Sequence, residues 1–538
     1  MPQDKPRELG NHSFSRRQLL RGSALLGAGI ALPGLLSACD ADAGPAARGA
    51  AGPPRHGGRL VVAVHDGGAQ DVLSPWSIPT YAAAGRAQQV YERLFNFGPD
   101  GKPAPRLAVS AESNANGTVW RVKLRPDVSF HNGKKFTAQD VLYSYGYVAD
   151  TANQAESAPR LEAVDLAASR AVSDLEIEFR LKRSIGDFKG LLAEKALWIV
   201  PQGTTNFDTP VGTGPFIFSS WQPGVRALYK RNPHYWGASA TTGPFVDELE
   251  IQTITDQTAR LNALLGGQVQ EITFLDFVSA KARANDPSLK IVRTAQPSTT
   301  PFYMQIDSST FMDPRVREAM KLAVDRETLV ENVLLGFGSV GNDLFGKGQP
   351  SYNSDIPQRA YDPEKAVGLL RQAGVDRLRL ALPTSTTTPG MLESAAGFKQ
   401  QATRAGIDLE LVKLPSESYF SNNQYMKVPF YQTNWGQGFE SQAQDGLLSN
   451  APYNETHWSD PNWDASFRKA QGIVDESKRL AAYKALQEPL WERGGYIVWG
   501  TFDTLDAVAP HVRGVVPNIS SSFQNLGGFE FKDHWLEA

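Results

Sequence analysis

Cysteine is almost absent from this 538-residue chain: Cys39 is the only one, so no internal disulfide can form and stability has to come from buried surface. The eight histidines (His12, His56, His65, His131, His234, His457, His511, His534) are scattered, without the short spacings of a zinc site. No Walker loop and no G-x-S-x-G occurs, which removes P-loop nucleotide hydrolysis and the nucleophile elbow. Gly336-Phe337-Gly338-Ser339-Val340-Gly341 satisfies G-x-G-x-x-G, but the segment before it reads as helix where a dinucleotide turn needs a strand. Basic blocks are missing too, and with a formal charge of -3 nothing could track a phosphate backbone, so nucleic acid is not an expected partner. These absences predict no cofactor, no resident metal and no catalytic residue.

Long apolar runs are also scarce. Gly22 to Leu36 is the one candidate, and it is diluted by Gly27, Gly29, Gly34 and Pro33. A bilayer span needs roughly 20 mostly apolar residues, so this stretch is too short. What surrounds it reads as an address. Ser15-Arg16-Arg17-Gln18-Leu19-Leu20 resembles a twin-arginine export signal, with Leu19 where the pattern prefers Phe, and Leu36-Ser37-Ala38-Cys39 resembles a lipobox. The expectation is a signal peptide over 1–38, lipidation of Cys39, and extracytoplasmic attachment to the cell membrane, each buried methylene contributing about 0.8 kcal/mol. Five of the 54 basic and two of the 57 acidic residues precede Cys39, so the remainder carries a formal charge of -6. Residues 40–57, rich in Ala, Gly and Pro, read as a flexible tether reaching roughly 20 to 25 Å.

The body alternates strand and helix patterns, which predicts a mixed α/β fold large enough for two or three domains. Arg59 to Val64 is apolar on both faces, as a central strand should be. Ala83, Ala87, Val90, Tyr91 and Leu94 follow at helical spacing. Trp120, Val122 and Leu124 alternate with charges in a half-buried strand, and Thr137-Ala138-Gln139-Asp140 forms a capping-box variant ahead of the next helix. Asp362-Pro363 opens a helix that closes at Gly374. Strands are predicted over 378–382, 407–414 and 428–434, with a helix over 391–404 between the first two.

Several spans carry a family resemblance in order and spacing. They are Trp120 to Gly133 continuing through Phe136 to Val141, then Gly212-Thr213-Gly214-Pro215-Phe216, Arg231-Asn232-Pro233-His234-Tyr235-Trp236, Asp313 to Ala319 with Ala323 to Arg326, and Tyr361 to Ala366 with Ala373-Gly374. Together they resemble the extracytoplasmic solute-binding proteins of dipeptide and oligopeptide ABC importers. Read for their own chemistry, the spans are scaffold: His131 beside Asn132-Gly133 suits a turn rather than a metal or a catalytic role.

The resemblance implies a monomeric two-lobed clamshell of the periplasmic type II class with a small inserted domain, closing on its solute by a hinge and docking on an ABC permease. The implied division is lobe I over 58–87, 210–300 and 500–538, an inserted domain over 88–209, and lobe II over 301–499. By rough alignment the family's pocket falls on Trp76 and Tyr81, on Phe274, and on Tyr303 and Trp499. Relatives place Trp, then Asp, at the end of a second-lobe strand, the Asp pairing with a peptide's amino terminus. Here Trp435 matches, but Gly438 stands in place of the Asp, which leaves Glu440 or Asp445 to substitute.

The loop also offers Gln437 and Phe439 as ligand residues, within a set of amides formed by Gln432, Asn434, Gln442 and Gln444. Aromatic faces with neutral amides suit blocked peptides or sugars, whereas Trp458 and Trp463 read as core. The solute, whether peptide, oligosaccharide or metal chelate, stays open at this point, as do a lipid-anchored hydrolase with paired carboxylates and a non-transport sensor on the same scaffold.

Overall fold

The computed structural model describes residues 52–538 apart from positions 79, 99–100, 156, 195, 417–418, 421–422, 437, 519–524 and 538. Arg16, Arg17, Cys39 and Gln437 lie outside the described residues.

The strand Arg59–Val64 is central, as its doubly apolar pattern requires. It runs parallel to Glu248–Thr253 on one side and to Glu271–Ile272 on the other. The rest of this eight-stranded sheet is antiparallel: Lys290–Ser298 and Gly500–Val508 flank one side, Arg226–Arg231 and Phe216–Gln222 the other, and Gly338–Val340 pairs off the path with Gly500–Val508. The glycine-rich run thus builds a sheet edge after the helix Arg326–Leu334 and no dinucleotide turn.

A separate antiparallel sheet of four strands, Ala108–Ser113, Val119–Leu124, Glu176–Leu181 and Val164–Ser173, uses residues that all fall between the first strand and Phe216. Its helix Ala138–Ala149 starts at Thr137, whose amide and hydroxyl both donate to Asp140. His131 holds the neighbouring turn, its amide donating to the carbonyl of Gly212 at 2.8 Å while Nε2 lies 2.9 Å from the carbonyl of Gly214.

The third sheet joins Phe430–Gln432, Phe302–Met304 and Tyr496–Ile497, and near it Leu378–Thr384 and Ile407–Lys413 pair in parallel with the helix Met391–Ala402 between them in sequence. The chain passes between the eight-stranded and three-stranded sheets side by side, at 299–301 and 498–499. These crossings are stitched together: Thr299 Oγ1 donates to the carbonyl of Gly500 at 2.6 Å, and Trp499 Nε1 donates to the carbonyl of Thr300 at 2.9 Å.

One predicted helix ends early. The apolar spacing ran to Leu94, but the helix is Tyr81–Val90, and Tyr91 already has an extended backbone. Tyr91 and Leu94 stay buried because the following segment continues into the interior, where Glu92 bridges to Ile199.

Candidate functional site

Three rings meet at the carboxyl ends of the parallel strands, where ligand crevices of α/β sheets open. His65 follows Arg59–Val64, Tyr81 opens the next helix and Phe274 follows Glu271–Ile272. Their ring centroids lie 4.2 Å (His65 to Phe274), 4.9 Å (His65 to Tyr81) and 5.3 Å (Tyr81 to Phe274) apart. Each is held by its backbone. Asp66 accepts from the amides of Tyr81 and Ala82 at 2.8 and 2.9 Å. Phe274, at φ 52°, donates its amide to the buried Asp506 at 3.0 Å, and its carbonyl accepts from Arg260. Burial pushes the His65 imidazole down to about 4, so it is neutral at pH 7 and adds an aromatic face without charge. Tyr81 and Phe274 were sequence candidates, and the structure brings them together with His65, which was not among them and whose signal was its place directly after an all-apolar strand.

A cavity of about 470 Å³ lies elsewhere, between the segment 159–194 of the small sheet and the segments 348–351 and 436–480. That volume falls within the roughly 300–1,000 Å³ of small-molecule sites. Its two walls are clamped at one end by backbone. The amide of Gly186 donates to the carbonyl of Gln471 at 2.7 Å, and a Cβ on Gly186 would sit 1.9 Å from the carbonyl oxygen of Ile473, so only glycine permits this approach. Arg183 adds a 3.0 Å bond to Gln471 Oε1. At the cavity itself Arg160 reaches across. Its side chain is only 9% exposed, with Nη1 3.2 Å from Glu194 and Nη2 3.1 Å from Asp445. Burial opposes the guanidinium charge, but Glu194 and Asp445 together outweigh it and raise its pKa.

Glu440 lines the same cavity and has no such partner. It accepts from Tyr483 Oη at 2.8 Å. Burial, reinforced by Asp187 and Glu194 across the gap, pushes its carboxyl up to about 7 against the Tyr483 bond and the Arg479 charge. A carboxyl raised in the folded state contributes stability that is complete below its unfolded value and is lost as pH rises through its folded value. The ligand-free protein is therefore expected to melt at progressively lower temperature between pH 5 and pH 8, and Glu440→Gln to flatten that slope. Parallel slopes in melting scans of the two proteins would remove Glu440 as the titrating group.

The other predicted residues divide by burial. Trp76 is 1% exposed, stacks on Tyr147 at 4.5 Å and donates Nε1 to the carbonyl of Trp198. Tyr303 is fully enclosed, its hydroxyl accepting from the amide of Met426 at 2.9 Å. Phe439 packs among Trp463, Phe467 and Tyr483, and Trp499 sits at the sheet crossing. Trp435 is 8% exposed: its backbone bridges to Thr299, and Nε1 donates 3.0 Å to Glu455. Glu455 is buried and also accepts from Tyr425, Thr433 and Tyr496, which fixes the indole plane. Of the amides, Gln432 is spent inside on Thr384 and Ser394, whereas Gln444 lines the cavity. Trp458 and Trp463 are core, 3% and 4% exposed. Among the described residues Glu440 is thus the one of the predicted ligand residues on the cavity wall, joined there by Gly436, Gly438 and Asp445.

Residues 102–454 match the model of the bacterial extracellular solute-binding proteins, family 5. The chain belongs to this family. As a family 5 binding protein it is a transport receptor and not an enzyme, and among the described residues no helix is long and apolar enough to cross a membrane. It is 25% identical over 481 residues to a glutathione-binding protein of Pectobacterium atrosepticum, covering 84% of this chain and 91% of the relative. It is 29% identical over 453 residues to the nickel-binding periplasmic protein of Escherichia coli, covering 76% and 83%. Its fold matches that of DppA, an ABC transporter-associated periplasmic binding protein of Helicobacter pylori solved with the peptide STSA, at a TM-score of 0.79 and 21% identity over 90% of this chain and 99% of the other. The family 5 architecture is the mixed α/β periplasmic-binding fold of type II with an extra domain.

Proposed function

We propose that this family 5 receptor captures a peptide-like solute in the cavity beside Arg160 and Glu440 and delivers it to the permease of an ABC importer. The observation that carries the reading is the cavity itself: about 470 Å³, mixed in charge, and closed by groups from two parts of the chain that a hinge would separate. Relatives named for glutathione and for di- and tripeptides support the solute class. We assign lobe I to 58–87, 210–300 and 500–538, the inserted domain to 88–209 and lobe II to 301–499. The solute also meets the Trp435 face, which lies against Gly446 next to Asp445 of the cavity wall, whereas the His65, Tyr81 and Phe274 rings form a separate cluster. Cys39 carries the lipid anchor and Arg16-Arg17 the export signal, which keeps the receptor beside its permease.

A thermal-shift screen of short peptides, oligosaccharides and metal chelates tests this reading. A solute at a hundred times its dissociation constant stabilises the protein by about 2.7 kcal/mol. Peptides are expected to give the largest shift, and Trp435→Ala to abolish it. A shift confined to metal chelates or to sugars would replace the solute class, and an unchanged shift in Trp435→Ala would remove the indole from the site.

A further inference from the structure

Gly438 has an ordinary backbone, φ −71° and ψ 170°, which any residue adopts. Glycine is there for space. A Cβ at 438 would fall 1.8 Å from Gln349 Oε1 and 2.7 Å from its Cδ, so the Gln349 carboxamide lies directly over this stretch of bare backbone. Gln349 is held in place from its own side, its amide donating to the carbonyl of Gly346 at 2.9 Å and its carbonyl accepting from the amide of Tyr352 at 3.0 Å. Its side chain lines the cavity together with Gly436 and Gly438, and among the described residues its carboxamide has no hydrogen-bond partner. Two N–H donors and a carbonyl acceptor are therefore presented to whatever occupies the cavity.

Glu162, Asp187, Glu194, Glu440, Asp445 and Glu476 also line this cavity, and among the described residues no hydrogen bond or ion pair joins any of them to Gln349. Asp445 and Glu194 are both engaged by Arg160, and Glu440 takes the hydroxyl of Tyr483. On the opposite wall Asp187 caps its helix, accepting from the amide of Gly190 at 2.8 Å. An ammonium placed against Gln349 would lose its hydration and gain one neutral acceptor, which leaves a desolvated charge poorly compensated. A neutral amide or hydroxyl exchanges water for a donor and an acceptor at little cost.

We propose that Gln349 is a specificity-determining residue: its carboxamide, filling the space above Gly438, selects a solute whose end at this wall is an uncharged amide or hydroxyl and discriminates against a free ammonium. The inference rests on the cavity being the solute site. It deepens the solute class from peptide-like to one blocked at its amino end, and a sugar hydroxyl would satisfy the same chemistry.

The test is calorimetric titration of the full mature protein at pH 6 with N-acetyl-trialanine, trialanine and maltotriose, against wild type, Gln349→Ala, Gln349→Ala/Gly438→Asp and Arg160→Ala. The expected result is at least a tenfold preference of wild type for the acetylated peptide, reduced to within twofold in Gln349→Ala. The double variant, which has room for a carboxylate over the same spot, should reverse the preference. Maltotriose binding that weakens in Gln349→Ala supports the neutral-end rule while replacing the peptide. Trialanine binding to wild type as tightly as its acetylated form overturns the proposal. So does an acetylated-peptide affinity that falls in Arg160→Ala but not in Gln349→Ala, whereas an affinity that ignores both variants overturns the cavity as the site.

Discussion

Replacing Arg160 with alanine is expected to weaken solute binding about 100-fold while leaving the urea midpoint of the whole protein nearly unchanged. The reason is where the ion pairs sit. Arg160 belongs to the small-sheet segment and Asp445 to the opposite wall, so their contact exists only while the two walls are together. With the guanidinium gone, Glu194 and Asp445 would face each other beside Glu440 and Asp187, which line the same cavity. Breaking a buried pair by removing one partner costs about 3–5 kcal/mol, and every 1.4 kcal/mol is about tenfold in affinity. The cost falls on the closed state alone, because opening returns the carboxylates to water, and it is therefore read as lost affinity. Small-angle scattering should show a larger radius of gyration for the variant. Arg160→Lys should recover part of the affinity, since a point charge cannot fork between two carboxylates. An affinity within threefold of wild type for Arg160→Ala would mean that the pair is solvated and closes nothing.

The second large effect is expected at Asp343, where alanine should destabilise the protein by about 3–5 kcal/mol and abolish binding. Its carboxylate is fully enclosed between Arg326 at 2.7 Å and Arg359 at 2.7 Å, both nearly enclosed themselves. Burial alone would raise the Asp343 pKa, but Arg326, Arg359 and Lys321 overcome it and hold it low, while burial pushes the Lys321 ammonium down to about 7. Removing the carboxylate leaves Arg326 without its acidic partner and Arg359 with Glu318 alone. The loss also reaches the cavity, because Asp343 and Asn342 root the loop that carries Gln349. Asn342 donates to the carbonyls of Ile356 and Pro357 and accepts from the amide of Arg359, closing that loop at its base. Urea unfolding measures the first effect and titration the second. A stability loss under 1 kcal/mol would show that relaxation and water rescue the arginines.

The parts of this molecule governed by local spacing were legible in the sequence. The doubly apolar Arg59–Val64 could only be a central strand, Asp362-Pro363 set the start of Pro363–Gln372, and Trp458 and Trp463 read as core and are core. The family spans declared the scaffold, and of the residues singled out with them Glu440 lines the cavity. What stayed hidden depends on residues far apart in the chain. Arg160 meets Asp445 across 285 positions, Gly186 leaves room for the backbone carbonyl of Ile473, and Gln349 covers Gly438. None of these leaves a periodic trace, since each is one residue in a turn whose meaning comes from the surface opposite. The substitution at Gly438 was visible as a missing carboxylate, but its replacement by an amide from another loop was not, because nothing in the Gly346-Lys347-Gly348-Gln349-Pro350 run points toward residue 438. Trp76, Tyr303, Phe439 and Trp499 illustrate the complementary limit: a large aromatic near a pocket and one inside a core share the same sequence signature.

The stitched crossings at Thr299–Thr300 and Trp499–Gly500 act on the motion as a mechanical constraint. Two adjacent strands tied by the Thr299 hydroxyl and the Trp499 indole resist sliding and shear, which leaves rotation about the line joining them as the soft coordinate. Leverage then differs with position. Trp435, whose backbone bridges to Thr299, sits beside that line and would travel little between open and shut, presenting a fixed surface. A solute seated there would therefore be judged for shape against a surface that a rotation about the crossings barely moves.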